Sequence, residues 1–105
     1  MTRVDRSGAF GCDLRDAVQW YAREVNPELA ERLVNEVERA VRSVGARPGL
    51  GSRHYGDVAG IPGIRSRRIE GFPYVVIFAS GTEAVRLLRL LHTSRDIGET
   101  LRETD

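Results

Sequence analysis

The hydrophobic positions follow two different patterns, which divide the chain into a helical first half and a stranded second half. In the segment DLRDAVQWYAREV, starting at Asp13, apolar side chains recur at steps of three and four, as on one face of an amphipathic helix. Asn26-Pro27 ends this helix because proline disfavours helical geometry at the preceding residue. The same pair starts a second helix, with Asn26 as N-cap and Pro27 at the first helical position. We therefore predict an antiparallel helix hairpin.

The second helix is expected to end at Gly45, which is placed as its C-cap. Glutamate and arginine four residues apart indicate a charge-paired, solvent-facing side. The opposite, apolar face is formed by Ala30, Leu33, Val34, Val37, Val41 and Val44. Residues 45–64 are rich in glycine and proline and are predicted to form a loop, with a short strand near His54 and Tyr55. Connections this long in compact domains are usually functional or contain an unrecognised element.

Three β-branched and aromatic runs separated by turns predict a three-stranded antiparallel meander over residues 64–69, 72–79 and 84–92. In the middle run, Val75 and Ile77 lie on one side, and the other side is formed by Phe72, Tyr74, Val76 and Phe78. The helix hairpin can cover only one of these faces, so we expect apolar sheet surface that a partner covers. The N-terminal MTRVDRSGAF offers only Val4 and Phe10 for a further strand.

These patterns predict one α+β domain over residues 1–105, with an N-terminal antiparallel helix hairpin packed on a small antiparallel sheet of three to four strands. A length of 105 residues and an apolar fraction of 41% suit a single modest core. No apolar run approaches the roughly 20 residues of a membrane span, and the N-terminus lacks the apolar centre of a secretion signal. We therefore expect a cytoplasmic protein without membrane association.

The charge pattern excludes several kinds of chemistry. All 16 basic residues are arginine, so lysine-dependent catalysis is absent, and arginine is a poor general base. Residues 47–95 hold eight arginines against three acidic residues, which makes this half basic. The glycines lack the Lys-Ser/Thr pair of a phosphate-binding loop. Two histidines and one cysteine, far apart in sequence, give no metal-site spacing. We expect neither a metal nor a cofactor.

Nearly the whole chain resembles the RelE/ParE superfamily of bacterial toxins from type II toxin-antitoxin modules. The resemblance rests on the order and spacing of DLRDAVQWYAREVNPELAERLVNEVERAV, PGIRSRRIEGFPYVVIF and VRLLRLLHTSRDI. The tail LLRLLHTSRDI and the PGIR…FPY pair are most similar to the ParE branch. It implies a toxin that inhibits growth by binding a bacterial target, DNA gyrase in the ParE branch. It also implies a hetero-oligomer with a cognate antitoxin, which has an N-terminal DNA-binding domain and a C-terminal tail that wraps the toxin.

A second hypothesis is a ribosome-dependent mRNA endonuclease of the RelE type. In some RelE-like relatives a C-terminal histidine transfers a proton during RNA cleavage, a role that His92 would take with Glu70 and Arg67. Residues 72–78, however, contain no basic residue where nuclease relatives carry a catalytic arginine, and their lysines are absent. A histidine at a strand end is also more often structural than catalytic. A third hypothesis is an inactive toxin that only binds antitoxin.

We predict that the partner-binding residues are basic or lie at the end of the last strand. Arginine forks bind carboxylates and phosphates, although charge on an edge strand also simply protects against aggregation. The set is Arg65, Arg67, Arg68, Arg89, His92 and Arg95. Arg86 and Arg89 are expected on opposite strand faces, at least one of them beside apolar surface. Asp96 is predicted to cap a short helix from Ile97, and Trp20 and Tyr21 to be core or near-core aromatics.

Overall fold

The computed structural model describes residues 2–103. The helices and strands are, in chain order, β1 (Arg3–Arg6), α1 (Gly8–Glu24), α2 (Pro27–Ala46), α3 (His54–Ala59), β2 (Ile64–Arg68), β3 (Tyr74–Ser80), β4 (Ala84–His92) and α4 (Ile97–Glu103). The fold class is α+β, as the sequence predicts, and the meander β2–β3–β4 is confirmed. Within the described residues, no helix is long and apolar enough to cross a membrane.

The first strand forms, and it changes the character of the sheet. The strand order is β1-β4-β3-β2, with β1 parallel to β4 and the other pairs antiparallel. The prediction of a wholly antiparallel sheet is therefore wrong, because the helix hairpin carries the chain from β1 across to the far side of the meander. Val4 packs against the core, and Phe10 is fully buried just beyond the strand. All four residues of β1 pair in register with β4, so backbone pairing adds to these two apolar contacts.

Helix α1 starts at Gly8, five residues before the predicted start at Asp13. Ser7 is its N-cap: the hydroxyl oxygen accepts a hydrogen bond from the N–H of Phe10 at 3.0 Å and donates one to the carbonyl of Leu88 at 2.9 Å. The second bond ties the start of the helix to β4. Glycine has low helix propensity, so Gly8 and Gly11 conceal this first turn in the sequence.

Helix α2 has the predicted N-cap, since the side-chain oxygen of Asn26 accepts from the N–H of Leu29 at 2.7 Å. The prediction for its end is wrong, because Gly45 lies inside the helix and Arg47 follows as C-cap. A Cβ on Gly45 would lie 2.9 Å from a methyl carbon of Val4. The glycine therefore serves the close approach of β1 to α2 rather than the end of a helix.

The glycine-rich connection contains α3, where a short strand was predicted near His54 and Tyr55. Together with α4, this helix covers the face of the sheet that carries Val75 and Ile77. A second hydrophobic cluster forms there, composed of Ala59, Ile64, Val75, Ile77, Leu91, Ile97 and Leu101. The predicted alternation of β3 is confirmed. The expectation that one apolar face of the sheet stays exposed is wrong. The chain covers both faces of its own sheet.

The packing of α3 on β2 depends on Gly56. A Cβ at this position would lie 2.7 Å from the carbonyl oxygen of Ile64 and 3.0 Å from that of Ile61. Backbone atoms cannot move aside as a flexible side chain does, so any larger residue would push α3 away from the strand.

We therefore expect Gly56→Ala to lower the free energy of unfolding by about 1–3 kcal/mol, the usual cost of overpacking. Urea unfolding followed by circular dichroism measures the change. Gly11→Ala is the matched control, since it also lies in a helix and a Cβ there meets nothing within 4 Å. The control should be neutral or stabilising by up to about 1 kcal/mol. Equal losses in both variants would contradict this account.

Candidate functional site

The end of β4 is held in place by an ion pair with α1. The Nε of Arg89 donates to Oδ2 of Asp13 at 2.7 Å, and its Nη2 donates to Oδ1 at 3.0 Å. The same carboxylate accepts the backbone N–H of Leu90 at 3.0 Å. Both side chains are largely buried, 18% and 16% exposed. The hydrogen bond to Asp13 raises the pKa of the Arg89 guanidinium.

This carboxylate lies where β4 departs from regular pairing. Ile77 of β3 is opposite Arg89, whereas Phe78 is opposite Leu87, so the register shifts by one residue. Such a bulge interrupts the ladder and redirects the side chains that follow it. Asp13 accepts from the guanidinium of Arg89 and from the N–H of Leu90, the two residues that follow the bulge, and so fixes the direction in which the strand continues towards His92.

His92 is the last residue of β4, and its ring is oriented by the turn that follows. Nδ1 accepts the N–H of Ser94 at 3.0 Å and lies 2.7 Å from the hydroxyl of that residue. A nitrogen that accepts a backbone N–H carries no proton of its own, so the neutral ring has its hydrogen on Nε2. The ring also packs edge-on against Tyr74, with centroids 5.1 Å apart. His92 therefore presents a hydrogen-bond donor rather than a free base.

An aromatic pocket, the Trp20 pocket, lies between α1 and the ends of β3 and β4. One part, of about 240 Å³, is lined by Trp20, Tyr21, Tyr74 and His92. An adjoining part, of about 250 Å³, shares three of these side chains and adds Asp16 and Arg95 at its rim. The prediction that Trp20 is a core or near-core residue is wrong, since it is 49% exposed. Tyr21 instead packs against the core.

Tyr74 stands between the two parts of the pocket. Burial raises the pKa of Tyr74 above its usual value of 10.0, as does Tyr21 beside it, while the positive charge of Arg95 partly offsets both. The phenol therefore stays protonated and acts as a hydrogen-bond donor throughout the physiological range.

The three arginines of β2 have different environments. Arg65 is held within the chain, because its Nη1 donates to the carbonyls of Gly51 at 3.0 Å and Gly49 at 3.3 Å. Arg67 and Arg68 are exposed and line an open depression of about 770 Å³ together with Glu70. Of the three arginines of β2, only Arg67 and Arg68 are therefore exposed cations.

The outer edge of β2 is only partly paired. Ser52 and Ser66 exchange backbone hydrogen bonds of 2.9 and 2.8 Å across this edge. Along an antiparallel strand, the N–H and C=O groups of every second residue point to the same side. Arg68 is two residues after Ser66, so its N–H and C=O also point outward. Among residues 2–103, no group pairs with them there. The chain turns away at Leu50, which is 65% exposed.

The candidate nuclease residues are not brought together. Glu70 and Arg67 line the depression beside β2, whereas His92 lines the Trp20 pocket at the end of β4. In the described part of the chain, no group of three or more His, Cys, Asp or Glu side chains could hold a metal ion. Of the predicted partner-binding residues, Arg67, Arg68 and Arg95 are exposed and His92 is half-buried, while Arg65 and Arg89 are engaged within the chain.

Sequence reasoning missed Asp13, Asp16 and Tyr74 as members of a site. Asp13 and Asp16 read as ordinary polar positions on the first helix, and Tyr74 as one more residue of an alternating strand. The predicted helix cap is present, however: Oδ1 of Asp96 accepts the N–H of Glu99 at 3.0 Å at the start of α4.

Comparison with known proteins identifies the family. The family model described as "ParE toxin of type II toxin-antitoxin system, parDE" matches residues 5–97. The chain belongs to the ParE toxin family. Among solved structures, this ParE-family chain is similar to the "Chromosomal ParDE TA system from P. aeruginosa", with 21% sequence identity and a TM-score of 0.73. The match covers 88% of this chain and 96% of that one, and at this identity it shows a shared fold. No curated protein matches the chain.

The Asp13–Arg89 pair leads to a prediction for the stability of this ParE-family toxin. Asp13→Ala leaves a largely buried guanidinium and the N–H of Leu90 without their acceptor, so we expect a loss of about 2–4 kcal/mol in the free energy of unfolding. Asp5→Ala, which removes the exposed pair with Arg3, is the control and should change stability by less than about 1 kcal/mol. Urea unfolding of both variants makes the comparison, and a loss below 1 kcal/mol for Asp13→Ala would disprove the role assigned to the pair.

The raised pKa of Tyr74 predicts alkaline behaviour. Because its pKa is higher in the folded than in the unfolded state, its contribution to stability is fully present below the usual value of 10.0 and is lost as pH rises through the folded value. An absorbance titration at alkaline pH should show a late step from the Tyr74 phenol. Tyr74→Phe should abolish that late step, and Tyr55→Phe, the control, should retain it.

Proposed function

We propose that this chain is a growth-inhibiting toxin that binds a bacterial target, DNA gyrase, and that a cognate antitoxin neutralises it. Membership of the ParE toxin family supports this mode of action. The separation of Glu70 and Arg67 from His92 adds to this support, because phosphodiester cleavage by a general acid and base requires these groups around one phosphate. On this proposal the protein acts by binding in the cytoplasm rather than by catalysis.

We infer that the antitoxin tail binds along the outer edge of β2. The observation that carries this proposal is the combination of free backbone groups on Arg68 with the exposed guanidiniums of Arg67 and Arg68. An extended segment can add to such an edge through main-chain hydrogen bonds, while side chains give specificity. Carboxylates in the tail would pair with the two guanidiniums, and an aliphatic side chain would cover Leu50.

The proposed surface has a second part at the end of β4, where Arg95 and His92 lie. Arg65 and Arg89 support these two parts indirectly: the first holds the loop at Gly49 and Gly51 against β2, and the second fixes the end of β4. On this proposal, the partner-binding set predicted from sequence separates into side chains that contact partners and side chains that position them.

Expression of the chain should arrest growth, and co-expression of its cognate antitoxin should restore growth. The double variant Arg67→Glu/Arg68→Glu should still arrest growth but escape neutralisation, with antitoxin affinity at least about tenfold lower, because two attractions become repulsions. Arg42→Glu, which changes an exposed arginine on α2, is the control and should be neutralised normally.

The purified chain should stabilise cleaved plasmid in a gyrase assay.

Several outcomes would count against the proposal. Growth arrest with cuts inside translated mRNA codons that disappear in His92→Ala would identify a ribonuclease instead of a gyrase poison. Antitoxin binding without any growth arrest would identify an inactive toxin. Normal neutralisation of the double variant would exclude the β2 edge as the antitoxin site.

A further inference from the structure

The Trp20 pocket is separate from the β2 edge and is not used by the proposed antitoxin site. Its walls are four π-systems held in fixed mutual orientations. Trp20 packs edge-on against Tyr21 at 5.0 Å, and Tyr74 packs edge-on against His92 at 5.1 Å. Tyr21 is further fixed by Phe72 at 5.4 Å, also edge-on. A half-exposed tryptophan on such a rigid base can contact a ligand with little loss of conformational freedom.

Three polar side chains of the pocket, His92, Tyr74 and Arg95, can act as donors. His92 carries its hydrogen on Nε2 because Nδ1 is occupied by Ser94, and Tyr74 keeps its phenolic proton. Arg95 has an exposed guanidinium that makes no ion pair with any residue in the range 2–103. The ligand should therefore combine an apolar part for the aromatic walls with an acceptor, a carbonyl or carboxylate, for the donors.

The charges at the rim decide between classes of ligand. Asp16 and Arg95 have opposite signs and line the same part of the pocket. Asp13 is also there, but Arg89 already neutralises it. Single-stranded nucleic acid requires a continuous positive groove beside its stacking platform, and here Asp16 interrupts the positive charge that Arg95 supplies. A peptide suits the pair, because its N–H groups complement Asp16 and its carbonyls or an acidic side chain complement Arg95.

We propose that the Trp20 pocket is a second docking site that binds a peptide segment of a protein partner. One aromatic or large aliphatic side chain of this segment lies against Trp20, Tyr74 and His92, and a neighbouring acceptor lies on Arg95. A central aromatic anchor surrounded by a polar rim is the usual arrangement of residues that dominate binding energy. The inference rests on the proposed function only in expecting that the partner is a protein.

The test uses the 105-residue chain, whose single tryptophan gives an unambiguous indole N–H signal in ¹⁵N NMR. Three probes are titrated: the capped tripeptide Ala-Phe-Glu, the same tripeptide with alanine in place of phenylalanine, and single-stranded tetrathymidylate. The phenylalanine peptide should shift the Trp20 indole signal saturably, together with amides of α1 and the end of β4. The alanine peptide should bind at least about tenfold more weakly, since it lacks the anchor.

Matched variants separate the pocket from the rest of the surface. Trp20→Ala should abolish the shifts of the α1 amides, and Arg95→Gln should weaken binding several-fold. Val58→Ala is the control, since Val58 is also exposed, at 58%, but lies on α3 away from the pocket. It should bind like the unchanged chain.

Three results would overturn the proposal: no shift of the indole signal with the phenylalanine peptide, equal binding of both peptides, or an indole shift with tetrathymidylate alone. The last would show a nucleic-acid site. Growth arrest and gyrase cleavage are independent readouts of the proposed function. Peptide binding without growth arrest contradicts that function and leaves the pocket assignment standing. Growth arrest without peptide binding contradicts the pocket assignment and leaves the proposed function standing.

Discussion

The fold depends on one constraint: β3 is buried on both of its faces. Val76 and Phe78 lie on one side and Val75 and Ile77 on the other. Each of these side chains is at most 1% exposed. A strand of this kind is stable only if the chain provides a layer for each face, because apolar side chains exposed to water on either side would forfeit their burial energy. The helix hairpin α1–α2 is one layer, and the short helices α3 and α4 form the other.

The two helical layers, one on each face of the sheet, limit which surfaces of the toxin a partner can contact. Because the chain covers its own sheet faces, the parts of the sheet itself that remain for binding are the β2 edge and the strand ends. The edge offers backbone hydrogen bonds and guanidiniums at β2, and the strand ends offer aromatic rings and donors beside α1. These two surfaces differ in chemistry and share no lining residue, so they suit different segments of a partner or different partners.

Asp13 links the core to the second of these surfaces. Its carboxylate accepts from the Arg89 guanidinium and from the N–H of Leu90 just after the bulge of β4, and the strand then runs on to His92. Charged groups this deeply placed contribute less to stability than apolar packing of the same volume, but they fix geometry. Here the fixed geometry determines where His92, Ser94 and Arg95 lie relative to Trp20.

The sequence by itself determined the elements whose signals are local. The Asn26-Pro27 helix start, the alternation along β3, the cap at Asp96 and the basic character of β2 all depend on neighbouring residues, and each is present in the structure. Only the tertiary structure decided the rest. The parallel strand β1, the helix α3, the role of Gly45 and the meeting of Asp13 with Arg89 depend on contacts between residues distant in sequence. No local pattern specifies such contacts, because the energy that selects them comes from packing of the whole chain.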